Sequence, residues 1–166
     1  LGLGLKPGEG VIVPAFTSKL DSNFGEGAIA DADADPNIPP DQFATGWSDA
    51  VFDGAQGVIP PSTTHEAAKA AMKGVLMSVS HKSDSMGMTI QNGIVAYGGI
   101  MAAGMLPGFA GVPPAGPPMV GSVLLPVDPP GAFMDFANAL GGVLAGWFPT
   151  GIAIMVPTPF TPMPWS

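Results

Sequence analysis

Ser62-Thr63-Thr64-His65-Glu66-Ala67-Ala68-Lys69-Ala70-Ala71-Met72-Lys73-Gly74-Val75-Leu76-Met77-Ser78-Val79-Ser80 is the stretch on which the fold turns. Its three leading hydroxyl residues are N-cap candidates, and Glu66 falls in the first turn, where the positive end of a helix dipole favours an acid. Ala67, Ala68, Ala70, Ala71, Met72, Val75, Leu76 and Val79 then carry a helix to about Ser80. Lys69 and Lys73, four apart, mark its wet face.

Upstream, Asp41 follows Pro39-Pro40 and precedes Phe43, Trp47 and Val51, a spacing of four that lines one helical face over about 41 to 54. Gly54 and Gly57 end it. Downstream, Ser83-Asp84 can cap a third helix to about Leu106. That helix carries Gly93, Gly98, Gly99 and Gly104 and so depends on close tertiary packing, since each Gly costs about 1 kcal/mol relative to Ala. Eight prolines between Pro107 and Pro130 forbid helix and predict a polyproline strap. Asp128-Pro129 then opens a fourth helix, about 129 to 147, with Phe133, Phe136, Leu140, Val143, Leu144 and Trp147.

The ends read differently. Residues 1–40 predict an extended amino-terminal arm with a short strand at Val11-Ile12-Val13, and 149–166 an extended tail with a strand at Gly151–Val156 and a Trp165-Ser166 end. The predicted fold is mainly α: a small bundle of about four helices, residues 41–148, interrupted by the strap at 107–130, with arms at both termini. One domain suits 166 residues. Leu1-Gly-Leu-Gly-Leu-Lys lacks a basic region followed by a continuous apolar core, so it is not read as a secretory signal.

Composition points to contacts rather than catalysis. The 24 Gly and 20 Pro are about a quarter of the chain, against about 12% in average usage. Leu1–Gln56 holds nine acids and two lysines, while from Ser85 onward the only formal charges are Asp128 and Asp135. So neutral a half is expected to be covered by partners or lipid. With no arginine and five lysines there is no basic stripe for a phosphate backbone, which argues against nucleic acid. The absence of cysteine excludes disulfides and thiolate metal sites.

Asp31, Asp33 and Asp35 alternate as a calcium loop begins, but Pro36 stands where the turn glycine belongs and Gln42 where a bidentate Glu belongs. A solvated acidic loop is the favoured reading. His65 and His81, at opposite ends of one predicted helix, are about 24 Å apart and cannot share a metal; both are read as helix-end histidines facing the dipole. No G-x-S-x-G elbow, P-loop or dinucleotide fingerprint is present, and no carboxylate pair has sequence support for acid–base work. No catalytic residue or cofactor is expected. Met86–Met105 runs twenty residues without a formal charge, about the length of a membrane span. Its glycines, Thr89, Gln91 and Asn92 favour a helix packed on other helices.

Gly46-Trp47-Ser48-Asp49-Ala50-Val51, then Gly57-Val58-Ile59-Pro60-Pro61-Ser62-Thr63-Thr64-His65-Glu66-Ala67-Ala68, then Gly104-Met105-Leu106-Pro107-Gly108-Phe109 and Pro113-Pro114-Ala115-Gly116-Pro117-Pro118 give an ordered set of short motifs. In that order the chain resembles small virion-associated proteins of tailed bacteriophages, over about residues 41 to 166. The resemblance implies a non-catalytic structural role in the virion, in tail or baseplate, packed in many copies against itself and neighbouring virion proteins. It transfers no catalytic residues. The rival reading is a membrane-inserted, holin-like protein using 86–105 and 131–148 as a hairpin; a calcium-dependent binding module resting on Asp31, Asp33 and Asp35 is a third. Trp47, Phe109, Phe133, Trp147 and Trp165 are the expected interface anchors, because large aromatics dominate buried interface energy where pockets receive them.

Overall fold

The computed structural model describes residues 9–24, 39–58, 61–78, 86–105, 108–118, 133–155 and 162–166. In chain order these form α1 (Glu9–Phe24), α2 (Pro40–Ala55), α3 (His65–Met77), α4 (Met86–Ala103), β1 (Phe109–Val112), α5 (Phe133–Trp147), a 3-10 turn (Phe148–Thr150), β2 (Ile152–Met155) and β3 (Met163–Pro164). The protein is mainly helical, with one small antiparallel sheet in the order β1-β2-β3.

Three expected helices stand close to their sequence limits, and the reasons are local. Pro39-Pro40 sets the start of α2, with Pro40 at the first position, where its missing N–H removes nothing. The four-residue rhythm buries Phe43, Trp47 and Val51 on one side. Along α3 the buried face is His65, Ala68, Met72 and Leu76. α3 ends at Met77 and α4 at Ala103, each three residues before the expected Ser80 and Leu106; those two residues, the expected cap at Ser83-Asp84 and the expected start of the fourth helix at Pro129 lie outside the described residues.

The amino-terminal segment differs from the expected arm. Glu9–Phe24 is helical, and Ile12, Phe16 and Leu20, four apart, are buried in the core. Phe16 packs 6.5 Å from the Trp47 ring, Asn23 Nδ2 donates to Gly46 O at 3.0 Å, and Thr17 Oγ1 donates to Asn138 Oδ1 at 3.3 Å. Pro14 sits just past the four opening residues whose amides lack intrahelical acceptors in any helix, so it removes about one backbone bond. The buried apolar stripe outweighs that loss.

Successive packing runs α5 on α1, α1 on α2, α2 on α3 and α3 on α4. Trp147, at the end of α5, then reaches Gly98 of α4: a Cβ there would stand 2.7 Å from the indole Cη2. Its Nε1 donates to Gly116 O at 2.9 Å, where Gly116 takes a positive φ of 69°. The described part of the expected strap, residues 108–118, is not all polyproline: Phe109–Val112 pairs as β1, and Pro113–Pro118 is fastened over the junction that joins the first and last helices of the series.

The described parts of the tail beyond the 3-10 turn are extended, and they are packed rather than free. Ile152–Met155 pairs with β1 (Phe109↔Met155 to Val112↔Ile152) and with β3 (Ile152↔Pro164, Ala153↔Met163). Trp165 N–H donates to Gly151 O at 2.9 Å, and its ring lies on Gly151 so closely that no side chain fits there. Among the described residues, no helix is long and apolar enough to cross a membrane.

Candidate functional site

The Ser62-Thr63-Thr64 run does something other than cap its own helix. Thr64, at the N-cap of α3, makes no side-chain cap bond. Its Oγ1 instead donates to Ile100 O at 2.7 Å, and Ser62 Oγ donates to Met101 O at 2.7 Å. Thr63 adds a backbone N–H and a hydroxyl bond to Gly104 O at 3.0 and 3.2 Å. The last carbonyls of a helix have no intrahelical donors, so these hydroxyls close the carboxyl end of α4 from across the fold. Ser62 Oγ in turn accepts the Thr64 N–H at 3.2 Å. Gly104 is glycine because a Cβ at that position would run into the Thr64 and Ser62 hydroxyls.

One residue further on, His65 faces inward. Its Nδ1 lies 2.8 Å from the Tyr97 hydroxyl of α4, and its ring packs edge-on to Phe52 of α2 at 6.1 Å. Burial lowers the His65 pKa below 6.5, with Glu66 pulling weakly the other way. Burial, then Glu66 and Asp53, raise that of Tyr97 above its usual 10. Neutral imidazole and protonated phenol follow, and Nδ1 is the phenol's described partner. The O–H is therefore assigned as donor to Nδ1, with the ring proton on Nε2. Thus His65 ties α3 to α2 and α4 rather than serving its own helix dipole, and neither group is exposed enough to meet a substrate.

Charges collect on the outer sides of α2 and α3. Lys69 Nζ lies 3.6 Å from Asp49 and 3.3 Å from Glu66, and 4.4 Å over the Phe52 ring; Lys73 pairs with Asp41 at 2.7 Å. Among the described residues no group of His, Cys, Asp or Glu could hold a metal ion. The calcium candidates Asp31, Asp33 and Asp35, and His81, lie outside the described residues.

The expected interface anchors separate into three groups. Trp47 and Trp165 are 0% exposed and Trp147 is 6% exposed, so this chain's own core already fills their pockets. Trp47 sits between Phe16 and Phe43, Trp147 between α4 and the strap, and Trp165 on Gly151. They fasten the fold instead of offering themselves to a partner. Phe109 is half-buried on β1. Phe133 opens α5, and its side chain lies outside what is described.

Two other surfaces are left open. Residues paired directly across a sheet share a face, so Ala110, Val112, Ile152, Ile154 and Pro164 stand together, with Val112, Ile152 and Pro164 exposed. Antiparallel sheets ordinarily turn polar residues outward, and this one turns none. On α4 the exposed positions are Met88, Asn92, Val95, Gly99 and Ala103. No charge appears on either surface. Their sequence signature is the uncharged run from Ser85, within which composition does not single out particular positions. The chain matches no family model, no curated protein and no solved structure.

Proposed function

We propose that this protein is a non-catalytic structural component of a phage particle, packed in several copies against other virion proteins of the tail or baseplate. The observation that carries this reading is the pair of outward, charge-free surfaces on α4 and on the β1-β2-β3 sheet. Apolar surface of this kind marks an interaction site on a soluble protein. The ordered motifs from Gly46 to Pro118 add the virion context by resemblance, and the acidic amino-terminal half supplies the repulsion that keeps unassembled chains apart.

Peptide mass spectrometry of gradient-purified particles, set against the membrane fraction of the same culture at equal protein load, tests it. Enrichment with particles is the expected result. Enrichment with membranes, or absence from particles, overturns it. The holin-like hairpin of 86–105 and 131–148 is the less favoured reading, because α4 and α5 within those spans fall short of a crossing.

A further inference from the structure

Met163-Pro164-Trp165-Ser166 carries one proline and one large aromatic, and each has a definite place. β3 lies at the sheet edge and pairs with β2 through Ile152↔Pro164 and Ala153↔Met163. One residue on, Trp165 N–H turns inward to Gly151 O at 2.9 Å. Backbone groups alternate in direction along an antiparallel strand, so the amide before it would face the open edge. That position is Pro164, which has no N–H, and a proline there denies the edge to a fourth strand. Another chain can join this side of the sheet only in place of β3. The place itself is selective. Gly151, just before β2, lacks a side chain, and a Cβ there would collide with the indole of Trp165, which is 0% exposed. The slot formed by Gly151 and β2 therefore recognises Met163-Pro164-Trp165 by register, by a backbone bond and by shape.

We infer that this slot is also the docking site for residues 163–166 of a second copy, so that assembled copies exchange tails. The occupant follows from what fills the slot already. Every copy carries the same tail, and a neighbour's tail makes the same bonds with no loss of contact. The connecting sequence weakens closure within one chain. Residues 156–162 hold Pro157, Pro159 and Pro162 and no Gly, Asn or Asp, the residues on which short hairpin loops rely. Prolines bias a chain toward extended polyproline form, and a stiff connector returns to its own slot less readily than a flexible one. Each fold stays fastened after exchange, because its slot stays filled. The exchange deepens the assembly reading above by naming a contact that locks copies together. It rests on that reading for the nearness of copies that lets exchange compete with closure.

The chain has no cysteine, so single thiols report the exchange without background. Ile152 and Pro164 are exposed and directly paired across the strands, within reach of a disulfide. Full-length Ile152→Cys and isotopically heavy Pro164→Cys are mixed at about 1 mM, the effective concentration of a short tether, and oxidised with glutathione disulfide. Mixed dimers should exceed either like-with-like dimer about tenfold, because only an exchanged tail holds the two thiols at disulfide spacing. Val112→Cys in place of Ile152→Cys should show no excess: it is exposed on the same sheet face but on β1, two strands from β3, so a simple contact between faces would link both. Circular dichroism melting checks that each variant is folded. If one is not, Ala153→Cys and Met163→Cys, the other paired positions, take their place. No excess of mixed dimers, or the same excess with Val112→Cys, overturns the exchange. Absence of mixed dimers with the chain found in particles refutes the exchange alone, and mixed dimers with no chain in particles refute the particle reading alone.

Discussion

At the scale of single residues, the buried His65–Tyr97 bond makes stability depend on pH in a direction that burial dictates. His65 has its pKa lowered from 6.5 in the folded chain, chiefly by burial. Between the folded value and 6.5 the unfolded chain binds more protons, so stability rises with pH across that window and is complete above it. Lowering pH from 7.5 to 5.5 should therefore reduce the urea midpoint of the parent chain more than that of His65→Asn, which has no titratable ring. Parallel pH profiles for the two would show that His65 is not held neutral. The Thr64 hydroxyl supplies a second test at this scale. Thr64→Ala leaves Ile100 O with only the Gly104 N–H that it shares with Met101 O, at 3.3 Å, and should cost about 1 kcal/mol in denaturant unfolding. A change within error would mean that water replaces the hydroxyl freely.

At the scale of elements, α1 is the informative case. Pro14 is exposed within it, so little burial is lost on its removal. Pro14→Ala should restore a backbone bond and raise the melting temperature, whereas the same change in an extended arm would be neutral or unfavourable. Phe16→Ala should cost about 3–5 kcal/mol, because the ring lies buried against Trp47. An unchanged urea midpoint for it would mean that the segment packs on nothing. The sequence was legible where periodicity and punctuation agreed: Phe43, Trp47 and Val51 after Pro39-Pro40, and the alanine run behind Ser62-Thr63-Thr64. It was misleading where they conflicted. Ile12, Phe16 and Leu20 keep the same four-residue rhythm, but Pro14 and the flanking glycines suggested a break, and tertiary burial overrode them. The inward side of His65 was legible in its spacing, three, seven and eleven residues before Ala68, Met72 and Leu76 on the buried face, although at a helix end it reads as a histidine facing the dipole. Its partner was not, because nothing in a linear sequence brings Tyr97 beside it. The same holds for the hydroxyls: the helix start they mark was readable, but the capping bonds expected of them are replaced by bonds to acceptors on α4, 36 to 41 residues away, which were not.

At the scale of the whole molecule, closure of the fold depends on the carboxyl end of the chain. Trp147 joins α5 to α4 through Gly98, and Trp165 returns to Gly151, immediately after the 3-10 turn that follows α5. A terminal Trp-Ser that served only as an intermolecular anchor would be dispensable for folding. Here its ring is fully buried and β3 brings it back into the sheet, so deleting Trp165-Ser166 should lower stability by about 3–5 kcal/mol, the range for losing a large buried aromatic. The indole Nε1 gives a finer distinction, for it is buried and has no hydrogen-bond partner among the described residues. Trp165→Phe keeps most of the apolar contact and removes that unsatisfied donor, which offsets about 1–3 kcal/mol of the smaller ring's packing loss. Urea unfolding of the three chains should thus rank the parent and Trp165→Phe close together and the truncated chain far below. If the truncation leaves the midpoint unchanged, the tail is not part of the core and Trp165 is free to anchor a partner. If Trp165→Phe falls as far as the truncation, shape at Gly151 rather than burial sets the contribution of this residue, because the indole alone fills the space that the absent side chain at Gly151 leaves open.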